Sequence, residues 1–255
     1  MNDLEIDLDK EFINLPNAPI VEAVVHWQAP ATVQLTEESL QTQLGDSFPG
    51  YLIRQQHDEE VGLIGSTGGI EVKQQRNWEG VRLSSPDEKT PQFVCQFLKN
   101  GVAFSRLAPY VGWSDFIEEA KKFWEKYVEI ARPKNVSQLS VRYISQVSVR
   151  TSDEVGEYIE QVCAPLGSIG LSANHFFHQD SIQLDNHPYR INVVRAVQPA
   201  TGTTGSLIVD ILASTVSALE NLDMVDDKLN ELRFIKNEVF FTLMKDAETK
   251  FGAPS

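Results

Sequence analysis

The feature that most constrains this 255-residue chain is a succession of short apolar runs, separated by Gly, Pro or Asn. Many of these runs are rich in β-branched and aromatic residues, so they predict strands joined by tight turns in an antiparallel sheet. The predicted strands cover residues 20–27, 51–56, 70–75, 81–85, 92–99, 102–107, 139–149, about 175–184, 189–197 and 207–213. The clearest hairpin is at Asn100 and Gly101, where an Asn-Gly pair predicts a type I′ turn.

Two longer segments have the periodicity of amphipathic helices. The first has a wide apolar stripe over 116–131, with Ser114 as its predicted N-cap and Pro133 directly beyond its end. The second covers 226–251, where Lys236 interrupts the stripe, and we expect its long stem to snorkel toward solvent. Helices that cover an antiparallel sheet predict an α+β fold.

No linker divides the chain, because no Pro/Gly/Ser-rich bridge or low-complexity stretch interrupts it. Residues 1–255 are therefore predicted to form a single unit. Residues 12–133 and 134–255 have a similar coarse order of strand, short helix, several strands and long helix. Two topologically similar halves are a hypothesis, since no repeat is visible at the level of residues.

Charge narrows the classes of partner. The chain has 36 acidic and 22 basic residues, for a net charge of −14. Such a surface repels phosphate backbones and anionic lipid, so it disfavours direct nucleic-acid binding and favours a basic protein partner or a cationic ligand. Neither a signal peptide nor a membrane span is predicted, and Cys95 and Cys163 do not form a disulfide framework. These observations predict a cytoplasmic protein with no membrane partner.

No segment carries a recognised catalytic motif. The glycine-rich segment 65–69 precedes a strand-like run rather than a helix, which favours a hairpin loop over a phosphate-binding loop. The chain lacks a Gly-x-Ser-x-Gly nucleophile elbow. The sequence predicts no cofactor and favours a protein that is not an enzyme, although it leaves that question open.

A group of histidines is the weak candidate for a metal site. His175, His178 and His187 lie near Asp180 and Asp185 in the sequence. Imidazoles and carboxylates are common metal ligands. Residues three apart on a strand point to opposite faces, however, so exposed or hydrogen-bonded histidines are the favoured interpretation.

The most distinctive segment is 104–114, with sequence FSRLAPYVGWS. It places Arg106, Tyr110 and Trp113 on a loop between a strand and a helix. Rigid aromatic side chains and a planar cation in such a loop are suited to holding a partner. The alternative is structural, with Trp113 packing on the first helical turn beside Ser114.

Three segments resemble, in order, those of a sporadically distributed bacterial family of similar length. They are 15–23 (LPNAPIVEA), 104–113 (FSRLAPYVGW) and 141–144 (VRYI). The family has no assigned activity, so the resemblance implies a single full-length unit and no catalytic residues. If the shared motifs mark a binding site, its residues here are Glu22, Arg106, Tyr110, Trp113 and Arg142. Glu22 and Arg142 are equally interpretable as a structural ion pair.

Three functional hypotheses follow. The first is a non-enzymatic interaction protein, either a component of a bacterial assembly or an acidic inhibitor of a basic partner. The alternative is a small-molecule-binding protein or unrecognised enzyme with an aromatic-walled pocket. The candidate wall residues are Phe93, Phe97, Phe104, Tyr143, Phe176 and Phe177. The third is self-association through residues 3–9, whose acid–apolar alternation predicts either an edge strand or a solvated acidic tail.

Overall fold

A single antiparallel sheet organises the protein. The computed structural model describes residues 4–66, 69–87, 91–150, 152–160, 176–198 and 205–252. The strands are β1 Ile20–Gln28, β2 Leu52–Ser66, β3 Gly69–Ser84, β4 Phe93–Leu98, β5 Gly101–Leu107, β6 Gln138–Val149, β7 Phe177–Gln183, β8 Tyr189–Gln198 and β9 Gly205–Thr215. They form one nine-stranded sheet in the order β2-β3-β4-β5-β1-β6-β9-β8-β7. With helices packed against this sheet, the predicted α+β class is confirmed.

The helices cover one face of the sheet. They are α1 Glu37–Ser47, α2 Trp113–Ala131, α3 Ser152–Tyr158, α4 Val225–Leu243 and α5 Ala247–Phe251. Helix α1 packs on β2 and β3, α2 on β5, and α4 on β6 and β9. Alternation explains the arrangement, because Ala23, Val25 and Trp27 of β1 are fully buried while their neighbours are half-buried. None of the helices within the described ranges is long and apolar enough to cross a membrane.

The sheet order is arranged about its central pair, β1 and β6. From β1 the sheet continues outward through β5, β4, β3 and β2, and from β6 through β9, β8 and β7. The strand next to β1 on its outer side, β5, is the last strand before β6 in the sequence. The strand next to β6 on its outer side, β9, is the last strand of the chain among the described residues. The division into two halves is compatible with this order and stays a prediction.

An aromatic core lies between α2 and the sheet. The ring centre of Phe123 is 5.3 Å from that of Phe104, 5.8 Å from Phe93 and 6.3 Å from Phe97. All four side chains are at most 5% exposed. The three strand residues proposed as pocket walls therefore pack as core, where aromatic side chains contribute large buried areas.

The predicted hairpin between β4 and β5 is present, but its turn is not type I′. Positive φ occurs at Gly101, at +155°, and not at Asn100. The carbonyl of Asn100 is hydrogen-bonded to the residue that follows β1, since Ala29 N–H donates to Asn100 O over 2.8 Å. A Cβ at Gly101 would lie 2.1 Å from Trp27 O, so close approach to β1 requires glycine there.

The start of α2 also differs from the prediction. Gly112, at φ +146°, is the N-cap, and no side chain caps the helix. Ser114 lies inside the first turn, so its assignment as the cap was wrong. The glycine permits the chain to enter the helix two residues earlier. The end agrees with the prediction, since Arg132 adopts a left-handed conformation at φ 49° immediately before Pro133.

The last predicted helix is interrupted rather than continuous over 226–251. Helix α4 ends at Leu243, and Asp246 adopts a left-handed conformation at φ 49° before α5 begins. The break coincides with contacts from α3: Met244 pairs with Ile159, and Lys245 N–H donates to Tyr158 O over 2.7 Å. Tertiary hydrogen bonds thus replace the helical ones at this point.

The N-terminal segment, residues 4–19, lies over α4 and contains no strand. His187 Nε2 is 3.0 Å from Leu4 O, and Lys10 forms an ion pair with Glu238. The Phe12 ring stacks 5.7 Å from Phe241. The predicted edge strand over 3–9 is therefore wrong for residues 4–9, and residue 3 lies outside the described residues. The segment is anchored by these contacts, while its acidic side chains Glu5, Asp7 and Asp9 are exposed, as expected for the alternative of a solvated acidic segment.

Candidate functional site

Two tyrosines meet where α2 begins. Tyr143 lies on the helix-covered face of central strand β6, and its side chain is 3% exposed. The loop from β5 to α2 contains a cis peptide between Ala108 and Pro109 and brings Tyr110 over the same strand. The two hydroxyl oxygens are 2.7 Å apart, within hydrogen-bonding distance. The ring of Phe116 packs against both tyrosines.

A lysine lies against this pair. Lys236 is only 8% exposed, and its Nζ is 3.8 Å from the centre of the Tyr143 ring. Within the described part of the chain, the ammonium group has no hydrogen bond or ion pair. The expectation that this side chain snorkels to solvent was wrong. Since α4 lies flat on β6 and β9, position 236 faces the sheet together with Leu232 and Ile235.

Arg233 is one helical turn before Lys236 and is exposed. Its guanidinium carbon is 5.6 Å from the centre of the Trp113 ring, which is an aromatic contact rather than an ion pair. Among the described residues, no carboxylate lies within ion-pairing distance of Arg233. We call Tyr110, Trp113, Tyr143, Arg233 and Lys236 the seam cluster, because it lies between α2 and α4.

Burial dominates the electrostatics of the seam cluster. Desolvation, reinforced by the positive charge of Arg233, lowers the pKa of Lys236 to about 7. Desolvation raises the pKa of Tyr110 to about 12, opposed by its hydrogen bond to Tyr143 and by Arg233 and reinforced by Asp115. Burial also raises the pKa of Tyr143. Near neutral pH the tyrosines are protonated, and Lys236 is present as both amine and ammonium.

A cleft opens beside the cluster. Its volume is about 660 Å³, and it lies between residues 8–12 of the N-terminal segment and the outer side of α4. The helix contributes Asn230, Arg233, Phe234 and Asn237 to its lining. Arg233 therefore belongs both to the seam cluster and to the cleft, whose lining also includes Asp9 and Glu11. Lys236 does not line the cleft.

The residues predicted from the sequence divide between the two faces of the sheet. Ala23 is paired with Arg106 on one side and Tyr143 on the other, so Arg106 shares the helix-covered face. Arg106 Nη1 is 3.0 Å from Glu119 Oε2 of α2, and this ion pair joins the helix to β5. Tyr110 and Trp113 belong to the seam cluster on that same face.

Glu22 and Arg142 lie on the opposite face. Arg142 donates to both carboxylate oxygens of Asp210, over 2.9 and 2.6 Å. This bidentate bond raises the pKa of Arg142, with a smaller contribution from the negative charge of Glu22. The structural ion pair considered for Arg142 thus has Asp210 as its hydrogen-bonded partner.

The structure does not bring the predicted histidines together. His178 Nε2 is 3.0 Å from Asp180 Oδ1 on β7, whereas His187 contacts the carbonyl of Leu4. His175 lies outside the described residues. Across the ranges that the structure covers, no three His, Cys, Asp or Glu side chains are placed to hold a metal ion.

Sequence reasoning missed Arg233 and the role of Lys236. The available signal was a lysine inside an apolar stripe, which has both a snorkelling and a buried interpretation. Comparison with protein-family models, curated proteins and solved structures found no match. A function for this protein must therefore be inferred from the geometry of the seam cluster.

Proposed function

We propose that this protein binds a small anionic molecule, such as a carboxylate or phosphate compound, at the seam cluster. The observation that supports this proposal is the pairing of Arg233 and Lys236, adjacent cations whose described partners are aromatic rings rather than acids. This occurs in a chain with 36 acidic residues, so acids are not scarce. A bound anion would supply the missing negative charge.

The two cations have different roles in this proposal. Arg233 is exposed at the cleft, and its planar guanidinium is suited to holding a carboxylate or phosphate by two parallel hydrogen bonds. Lys236 is a buried point charge that interacts more strongly with an anion because water is largely excluded. Trp113 and Tyr110 offer apolar surface to the remainder of the ligand.

Binding should depend on pH in a defined direction. The pKa of Lys236 is lowered to about 7 in the free protein, and an adjacent anion favours the ammonium form. Binding therefore takes up a proton when the pH is above that value. We expect affinity to decline as the pH rises from about 7 toward 9.

The proposal is tested by thermal unfolding with acetate, oxalate, citrate or phosphate against chloride at constant ionic strength. A ligand at about 100 times its Kd should stabilise the protein by about 2.7 kcal/mol. Stabilisation should be lost in Arg233→Gln and Lys236→Met and kept in Lys228→Met. Lys228 is the matched control because it is on α4 but is paired with Glu231. Equal responses in all variants, or no response to any of these anions, would contradict the proposal.

Binding of a basic protein partner is a second candidate function. Strand β7 is at one end of the sheet order, and its Phe177 and Ile182 are 69% and 47% exposed. Within the described residues one edge of β7 is unpaired, which suits addition of a strand from a partner. The net charge of −14 favours a basic partner, and the free, buried thiol of Cys95 is compatible with the predicted cytoplasmic location.

Native mass spectrometry of the protein purified gently from its host tests this second candidate. We expect a basic protein to co-purify with the wild type and to be lost with Ile182→Lys, which places a charge on the exposed edge. Recovery of bare protein, or a complex that Ile182→Lys leaves intact, would exclude β7 as the interface.

A further inference from the structure

We propose that Lys236 is an amine nucleophile that forms a reversible imine with an anionic aldehyde or ketone, whose charged group Arg233 holds. This inference rests on the proposed anion site and adds the chemical class of its ligand. Lys236 Nζ lies against the Tyr143 ring and has no acidic partner among the described residues. An unpaired buried amine is the kind of group that can be neutral at physiological pH.

The surroundings of Lys236 favour the neutral amine. Arg233 faces it from the same helix, and the hydroxyls of Tyr110 and Tyr143 remain protonated near neutral pH. Asp115, in the first turn of α2, influences Tyr110 but forms no ion pair with Lys236 within the described residues. A lysine that is desolvated and beside another cation is activated as a nucleophile toward carbonyl compounds.

The chemical step is balanced without an oxidant or a cofactor. The lone pair of Nζ attacks the carbonyl carbon, forming a C–N bond while the carbonyl oxygen takes up a proton to give a carbinolamine. Loss of that oxygen as water, carrying both protons of the amine, leaves the C=N double bond. Addition of water reverses the sequence, so the ligand is held covalently but reversibly.

In this proposal Arg233 holds the charged group of the ligand and Lys236 reacts with its carbonyl carbon. Arg233 and Lys236 are one turn apart on α4, where residues three apart lie on the same side of a helix. The proposal requires that a short ligand, with its carboxylate next to its carbonyl carbon, reach Lys236 from the cleft, whose lining includes Arg233 but not Lys236. A neutral aldehyde of similar size lacks the group that Arg233 would hold.

Reductive trapping tests this inference directly. The 255-residue protein is incubated at pH 7 with glyoxylate and cyanoborohydride, and peptide mapping locates the added carboxymethyl groups. We expect Lys236 to be modified at least about tenfold faster than Lys228, because burial lowers the pKa of Lys236 to about 7 and leaves more neutral amine than the usual lysine value would. Arg233→Gln should slow labelling by glyoxylate more than labelling by neutral glycolaldehyde. Both aldehydes lose the effect of the guanidinium charge on Lys236, but only glyoxylate also loses the group that holds its carboxylate.

The outcomes distinguish the two proposals. Labelling spread over exposed lysines with Lys236 unmodified would overturn the imine proposal, even if anions still stabilise the wild type. Fast labelling of Lys236 that ignores Arg233→Gln, together with no stabilisation by anions, would overturn the anion site. Lys236→Met supplies the control for assignment, since the fast adduct should be absent from it.

Discussion

Lys236 Nζ lies 3.8 Å from the centre of the Tyr143 ring, beneath a helix and above the central pair of strands. The negative face of the ring compensates part of the cost of burying the ammonium group. It does not replace a carboxylate, because Lys236 keeps a pKa of about 7. Burial of Lys236 in the core therefore lowers the free energy of unfolding, and the ring contact offsets only part of this effect.

Replacing Lys236 should stabilise the protein at neutral pH. The folded-state pKa is below the unfolded value of about 10.5, so the cost of burying the charge is fully present below pH 7 and disappears as the pH rises toward 10.5. We expect Lys236→Met to increase the free energy of unfolding by on the order of 2–4 kcal/mol at pH 7, and by less at pH 10. Urea unfolding at both pH values measures this difference.

Lys228→Met is again the matched control. Lys228 is paired with Glu231 and lies 5.6 Å from the Tyr189 ring centre, so its removal should not stabilise the protein. A Lys236→Met variant that is less stable than wild type at pH 7 would mean that the lysine has a compensating partner.

The hydrogen bond between Tyr110 and Tyr143 should give a measurable coupling. Each single change to Phe leaves the other hydroxyl without its 2.7 Å partner, at a cost of about 1–2 kcal/mol. The double variant should lose about 1 kcal/mol less than the sum of the two single variants. Tyr158→Phe, whose ring packs near the surface, serves as the reference and should change stability by less than about 0.5 kcal/mol. Strict additivity in urea unfolding would count against the bond.

Adjacent glutamates on α2 should differ in importance. Glu119 is 28% exposed and lies 3.0 Å from Arg106, which is 15% exposed. Glu118 is 77% exposed, and its distance to Lys122 Nζ is longer, at 3.8 Å. We expect Glu119→Gln to cost about 1–2 kcal/mol, because it leaves a partly buried guanidinium without its charge partner. Glu118→Gln should cost less than about 0.5 kcal/mol. Similar losses of unfolding free energy for both variants would show that the Arg106–Glu119 ion pair does not stabilise the protein more than an exposed pair does.

Alanine substitutions at two glycines with positive φ should distinguish the cost of backbone strain alone from the cost of strain with steric overlap. At Gly112 a Cβ would meet nothing within 4 Å, so Gly112→Ala adds only the cost of φ +146°, about 1–2 kcal/mol. At Gly101 the Cβ would lie 2.1 Å from Trp27 O, so Gly101→Ala also forces β1 and β5 apart. We expect it to lose more than about 3 kcal/mol or to fold poorly. Equal midpoints in thermal unfolding would contradict this ranking.

Much of the fold could be predicted from the sequence because strands, turns and helix ends depend on neighbouring residues. The stripe of α2 and its end before Pro133 follow from residue spacing, and the Asn-Gly pair located the hairpin at Gly101 although not its turn type. The start of α2 was misplaced because glycine permits a backbone conformation that a capping rule does not anticipate. The break after α4 was missed because its cause, the contact with Tyr158, is distant in sequence.

The candidate site was only half predictable. The loop motif identified Tyr110 and Trp113, but Glu22 and Arg142 proved to lie on the opposite face, since strand register decides which side chains share a face. By itself the sequence determined the antiparallel strands, the long stripe of α2 and the acidic surface, because these are local or compositional properties. Only the tertiary structure decided that Lys236 is buried beside Arg233, because that depends on α4 packing against β6 and excluding both water and acids.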